Sequence, residues 1–216
     1  MTTSLSISVG QHSEAGAKPM NQDFHGLLVP TGRQLVTKGI AVAIADGISS
    51  SDVSQIASES AVAGFLNDYF STPESWSVKQ SAQRVLRATN AWLYAQTRQS
   101  QYRYDRDRGY VCTLSVMVLK SATAHLFHVG DARIYRVHPE QLEQVSTDHR
   151  LWISREESCL TRAMGIGHQL DIDYHSLPVQ TGDTFLLTTD GIHEHLDERT
   201  MARIIRESTH DLEAAA

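Results

Sequence analysis

Two carboxylates stand at the ends of apolar runs and are each followed by glycine: Asp46 in Ile44-Ala45-Asp46-Gly47 and Asp190 in Thr188-Thr189-Asp190-Gly191. A charge at the rim of a hydrophobic core is costly unless a cation or hydrogen-bond donors meet it. Two such aspartates brought to one spot would form an oxygen-rich site suited to a hard cation such as Mg²⁺ or Mn²⁺. Asp-Gly is also a common turn dipeptide, so either pair alone is weak evidence and the repetition is what matters.

The elements that must position these residues are legible in outline. Ile40 to Ala45, bounded by Gly39 and Gly47, has the pattern of a strand buried on both faces, and Thr184 to Thr189 reads as the strand that delivers Asp190. Before them, Ser4 to Val9 alternates polar and apolar residues as a half-wet strand does, and Phe24 to Val29 is strand-like, with Pro30 to Gly32 as the turn into the buried strand. From Asp52 the period becomes helical. Val53, Ile56, Ala57, Ala61, Gly64 and Phe65 keep one apolar stripe, Asp52 with Gln55 forms a capping-box variant, and the small residues would let the helix lie close on a sheet. A second helix is expected from about Val78 to Arg98, followed by a charged loop, Gln99 to Arg108.

Strands then return at Val111 to Leu119, Ala124 to Val129 and Ala132 to Val137, with Gly130-Asp131 in the position of a tight hairpin turn. Leu142 to Val145 is a further short strand, Leu151 to Met164 is irregular or helical, and Leu170 to Leu177 and Asp183 to Thr188 complete the strand set before a helix from Asp197 to Glu207. Strands in two groups with a pair of helices between them predict one domain over residues 1–216, of α+β class with a sheet-on-sheet core.

Composition bounds the function. With 216 residues, 41% hydrophobic and 20% charged, the chain can bury a substantial core. The net charge of -6 and the lack of a basic cluster exclude a general nucleic-acid binder. No apolar stretch approaches the length of a membrane span, and no secretory leader is evident, so the expected setting is cytoplasmic with no membrane in this chain. Cys112 and Cys159 are read as reduced buried thiols rather than a disulfide.

The order of short motifs carries more. Lys18-Pro19-Met20-Asn21-Gln22-Asp23, Ile44-Ala45-Asp46-Gly47, His128-Val129-Gly130-Asp131-Ala132-Arg133, Thr147-Asp148-His149, Leu160-Thr161-Arg162-Ala163-Met164-Gly165 and Leu187-Thr188-Thr189-Asp190-Gly191 resemble, in sequence order, the metal-dependent serine/threonine protein phosphatases of the type 2C group. Tyr110-Val111-Cys112-Thr113 is similar to the strand opening in bacterial chains that join such a phosphatase to a protein kinase. The resemblance implies a β-sandwich of two antiparallel sheets flanked by helices, a four-layer αββα arrangement, with a centre of two Mn²⁺ or Mg²⁺ ions and a weaker third. It implies that Asp46 bridges the two ions, that the Gly47 carbonyl binds one and Asp190 the other, and that Asp131 helps to hold the third. Asp23 would orient water, and Lys18 would hold the phosphoryl group of a phosphorylated protein substrate; a linked or cognate kinase is the implied partner.

That chemistry suits the residue types on its own terms. Phosphate monoesters are among the slowest substrates to hydrolyse unaided, requiring accelerations up to about 10²¹. Paired ions about 4 Å apart can activate water and neutralise phosphoryl oxygens together. There is no Gly-x-Ser-x-Gly elbow to supply a covalent route.

The chain also departs from the pattern. Gln22 stands where the family commonly has Glu, Lys18 replaces an Arg fork by a point charge, and Ile48 follows Asp46-Gly47 where some members carry His. No counterpart of the family's final Asp-Asn motif precedes Ala216, so the resemblance implies a sheet short of a strand, an ion short of a carboxylate, and a truncated piece of a longer protein. These departures keep a second reading open, a catalytically silent phosphatase-like domain that binds a partner. Asp131-Ala132-Arg133 can equally be a salt-bridged hairpin tip. His193 and His195 read as surface or core, and Trp76, Trp92 and Trp152 as core or helix-packing residues.

Overall fold

The computed structural model describes residues 5–154 and 158–216. In chain order the first elements are β1 (Asp23–Leu28), α1 (Gly32–Lys38), β2 (Ile40–Asp46), α2 (Ser54–Ser71) and α3 (Val78–Gln99). Then come β3 (Leu114–Lys120), β4 (Thr123–Val129), β5 (Arg133–Val137), β6 (Leu142–Gln144), β7 (Arg150–Trp152) and β8 (Ser158–Leu160). The remainder is β9 (Asp173–Pro178), β10 (Thr184–Thr188), α4 (Asp190–His193), α5 (Glu198–Glu207) and α6 (Leu212–Ala215). The strands form a five-stranded antiparallel sheet in the order β1-β2-β3-β4-β9, a three-stranded sheet β10-β5-β6, and the hairpin β7-β8.

The period of two along the central strands sorts their side chains into two cores. Ala41, Ala43 and Ala45 of β2, with Leu114, Val116 and Val118 of β3, meet Ala57, Ala61 and Phe65 of α2 and Leu86 and Leu93 of α3. On the other face Ile40, Val42, Met117, Leu119 and Leu126 pack against Ile134, Phe185 and Leu187 of the second sheet. That sheet's far side carries Tyr135 and Leu142 against Met201 and Ala202 of α5. The result is helices, sheet, sheet, helix, the expected α+β sandwich, and it explains why β2 reads as an unbroken apolar run: both of its faces are covered.

Small residues set the closest approach on the helical side. A Cβ on Gly26 of β1 would lie 2.7 Å from Leu66 and 3.0 Å from Val62 of α2, so the strand is bare where the helix crosses it. Gly64 instead points toward Thr89 of α3. Lys38, 1% exposed, ties the far end together by donating to the Thr72 hydroxyl (2.6 Å), the Pro73 carbonyl (2.9 Å) and the Ser81 hydroxyl (3.1 Å).

Several local expectations are corrected. Residues 5–9 form no strand; Leu5 and Ile7 fill the inter-sheet core, so their alternation marks packing without a ladder. The segment after Pro30 is the short helix α1 rather than a simple turn. Asp52 does not cap α2: its carboxylate accepts from Tyr102 (3.3 Å) and Arg108 (3.2 Å), and the helix starts after Val53 with no side-chain cap. Gly130-Asp131 is not a hairpin turn, because β4 pairs with β3 and β9 while β5 pairs with β10 and β6; the dipeptide carries the chain from one sheet to the other. Within Leu151 to Met164 the described part includes the hairpin β7-β8, while residues 155–157 of that expectation lie outside the described residues. Cys112 is buried but Cys159 is exposed, and Trp92 and Trp152 are about half exposed (46% and 59%) rather than core.

Candidate active site

The register of β1 on β2 sets Asp23 directly opposite Asp46. Asp46 keeps the parity of Ile40 and Val42, so it belongs to the face that looks into the sandwich, at the end where the apolar core stops. Its backbone is locked from the neighbouring chain: its N–H donates to the Thr113 hydroxyl (2.9 Å) and its carbonyl accepts from the Thr113 N–H (2.7 Å). From the second sheet β10 delivers Thr188 and Thr189, both nearly buried, and then Asp190 at the start of α4. The Thr189 hydroxyl donates to Asp23 (2.8 Å), joining the two sheets at this rim. The carboxyl of Asp46 lies within hydrogen-bonding reach of those of both Asp23 and Asp190.

Three carboxyl groups in one half-buried recess cannot all be ionised without compensation. Burial first, then the charges of Asp23 and Asp190, hold the Asp46 carboxyl well above the usual carboxylate range. Burial would raise Asp190 as well, but hydrogen bonds from Asp46 and Arg150, with the charges of Arg150 and Lys18, leave it below its ordinary value. Of this pair Asp46 is therefore the acid that favours its protonated form and Asp190 the one that favours its ionised form. Asp131, 3% exposed at the crossover between sheets, is raised by burial and by Asp190 against the opposing pull of Arg150.

Gly47 follows with no room for a side chain. A Cβ there would lie 2.7 Å from Cβ of Ser54 and 2.8 Å from its backbone. Gln22 explains why this turn holds its shape: its amide nitrogen donates to the Ser54 hydroxyl (2.6 Å) and the Ser51 carbonyl (2.9 Å), while its own carbonyl accepts from the Gly47 N–H (3.1 Å). A glutamate could not donate in that way. Lys18 is exposed on the loop before β1, close enough for its charge to act on Asp190.

The remaining motifs buttress this rim. Arg133 does not pair with Asp131; it grips Asp148 through Nε (3.0 and 3.1 Å) and one terminal nitrogen (2.7 Å). The Gly130 N–H donates to Nδ1 of His149 (3.1 Å), so Nε2 carries the imidazole proton and donates to Asp173 (3.0 Å). Arg162 donates to the same aspartate (2.7 Å), the His149 carbonyl accepts from Thr161 (2.8 Å), and Met164 and Cys112 exchange backbone hydrogen bonds. His193 sits by the Thr188 hydroxyl (3.1 Å), where burial holds its imidazole below its ordinary value.

The sequence reading missed Arg150, the first residue of β7. Its guanidinium reaches Asp131 at 2.5 Å and Asp190 at 3.0 Å, and pairs with Glu194. Nothing in the local pattern marks it, since it follows Thr147-Asp148-His149 in a stretch without clear period. Among the described residues, no group of three or more His, Cys, Asp or Glu side chains is opened around a common centre for a metal ion. The contacts above accompany this: Asp46 faces Asp23 and Asp190, and the Arg150 guanidinium spans Asp131 and Asp190. The donor set itself, hard oxygens crowded beyond what protein cations neutralise, fits Mg²⁺ or Mn²⁺.

Comparison with known proteins agrees with this architecture. A family model described as protein phosphatase 2C matches residues 11–216. A relative named serine/threonine phosphatase stp, from Listeria monocytogenes, is 27% identical over 186 residues, covering 76% of this chain and 71% of that protein. The crystal structure of serine/threonine phosphatase Stp1 from Staphylococcus aureus superposes with a TM-score of 0.77 at 16% identity, covering 98% of this chain and 89% of that one. The catalytic domain of serine threonine protein phosphatase PstP, solved in complex with two manganese ions, does so with a TM-score of 0.64 at 22% identity over 89% of this chain and 91% of that one. With the family match spanning nearly its whole length, the chain belongs to the protein phosphatase 2C family.

Proposed function

We propose that this protein hydrolyses phosphoserine and phosphothreonine in other proteins, at a divalent-ion centre held by the acidic recess. The observation that carries the reading is the meeting of Asp46, Asp23 and Asp190 from two sheets, where burial first and then the charges of Asp23 and Asp190 raise Asp46. Asp46 and Asp190, with the Gly47 carbonyl, would hold two Mn²⁺ or Mg²⁺ ions, and Asp131 would contribute to a weaker third. When bound, such ions supply Lewis-acid charge and lower the pKa of water toward neutrality.

The protein's own groups do the rest. Asp23, pinned by the Thr189 hydroxyl, accepts a hydrogen bond from the attacking water and fixes its direction. Lys18 brings a mobile ammonium to the mouth of the recess, where it holds the phosphoryl oxygens as a point charge. Ile48 offers no proton to the leaving oxygen, which takes it from water or from another residue. A cysteinyl-phosphate route through Cys112 is disfavoured, because burial pushes its thiol up and keeps it protonated. The relatives' names, serine/threonine phosphatase among them, support the substrate class.

One observation favours a second reading, a silent domain that binds a partner: the acids are already engaged with one another and with Arg150. Hydrolysis of p-nitrophenyl phosphate and of a phosphothreonine peptide with Mn²⁺, with chelator, and in Asp46→Asn separates the two. Metal-dependent turnover that disappears in the variant supports the enzyme; absence of turnover with every divalent ion tried supports the silent domain.

A further inference from the structure

Arg150 is placed where a cation is needed, and it is the protein's own. His149 is fixed to Gly130 on both sides, through Nδ1 accepting from the Gly130 N–H (3.1 Å) and through its own N–H donating to the Gly130 carbonyl (2.8 Å). The next residue, Arg150, is thereby held above Asp131, the neighbour of Gly130. Its guanidinium donates to Asp131 at 2.5 Å and to Asp190 at 3.0 Å, and its side chain is 16% exposed. The third partner is Glu194, one turn beyond Asp190 and 41% exposed in its side chain. One guanidinium thus bridges the buried Asp131, the partly exposed Asp190 and a third acid at the solvent edge. The Trp152 ring lies 5.7 Å away beneath it.

We propose that Arg150 is a built-in counter-ion that a divalent cation must displace from Asp131 and Asp190, with Glu194 keeping hold of the released guanidinium. The inference rests on the reading of the recess as an ion centre, and concerns how tightly its weakest ion binds. A guanidinium and a divalent ion cannot share these two carboxylates closely without like-charge repulsion. Occupancy is therefore an exchange of one cation for another, and the ion's affinity is lowered by whatever the arginine contributes. The arrangement also offsets part of the negative charge of the recess before any ion arrives.

The test is Mn²⁺ binding to the whole chain, read as free Mn²⁺ by electron paramagnetic resonance, in wild type, Arg150→Gln, Arg150→Lys and Glu194→Gln. Arg150→Gln is expected to tighten the weakest binding step by about tenfold, the worth of one charge-assisted hydrogen bond. Arg150→Lys should fall between it and wild type, because the charge stays while the fork is lost. Glu194→Gln should weaken the same step, since the arginine loses its alternative partner, and this arm does not depend on Arg150→Gln being stably folded without metal. Wild type and variants binding Mn²⁺ alike would overturn the displacement proposal and leave the metal-phosphatase reading intact. No Mn²⁺ bound by any of them would overturn both.

Discussion

Replacing Asp46 by Asn should make the metal-free protein more stable, and more so the higher the pH. Asp46 titrates above its ordinary 3.8 because burial and the charges of Asp23 and Asp190 favour the protonated form. A group raised in the folded state contributes stability that is fully present below its unfolded pKa and is lost as pH rises through the folded one. At pH 8 the fold holds that proton about 4 units above its ordinary range, an upper limit of roughly 6 kcal/mol at ~1.36 kcal/mol per unit. Sharing with Asp190 and relaxation toward solvent reduce this to about 2–3 kcal/mol. The Asn amide keeps the donor that the protonated acid supplies and never ionises. For a chain of this size about 2–4 °C accompanies each kcal/mol, so Asp46→Asn should melt roughly 5–10 °C higher than wild type in chelator at pH 8 and about equally at pH 4. Differential scanning calorimetry across that range reads it directly. A variant that melts lower at pH 8, or a difference that does not grow with pH, would refute the account of Asp46 as the protonated acid of the recess. Added Mn²⁺ should reverse the order, stabilising wild type alone.

Gly47→Ala should cost about 1–3 kcal/mol in urea unfolding, because its Cβ would press on Ser54 at 2.7 Å; a change below about 0.5 kcal/mol would show that the turn yields. Gln22→Glu exchanges a donor to Ser51 and Ser54 for a carboxylate facing the same oxygens, and should cost about 1–3 kcal/mol in chelator, whereas equal stability would separate Gln22 from the shape of the turn. Lys18→Ala should raise KM for p-nitrophenyl phosphate about tenfold with kcat little altered, and Lys18→Arg should return it to wild type or below; a loss confined to kcat would give Lys18 another role.

What the sequence disclosed follows from where local rules and tertiary placement coincide. Asp46 and Asp190 stood out because a pattern weak by itself, an apolar strand ending in Asp-Gly, occurs twice, and the long helices α2 and α3 because their stripes span many turns. Gly130-Asp131 was misread because sheet membership is not local: a tight pair of strands and a crossover between sheets use the same glycine. Arg150 left no trace, since its role comes from three acids contributed by residues 131, 190 and 194. The alternation of Leu5 and Ile7 satisfied the strand rule without a partner strand, and the half-exposed Trp92 and Trp152 show that aromatic size does not by itself predict burial.

The acidic recess is a seam. Asp23 and Asp46 ride on the five-stranded sheet, whereas Asp190 rides on the end of the three-stranded one, and the two are held in alignment by an oily interlayer of Ile40, Met117, Leu126, Ile134 and Leu187. Any slippage between the layers is transmitted to the spacing of the carboxylates, so a methyl group gained or lost deep in that interlayer should change the distance between Asp46 and Asp190. Evolution can thus adjust the chemistry of this rim without touching a residue that lines it.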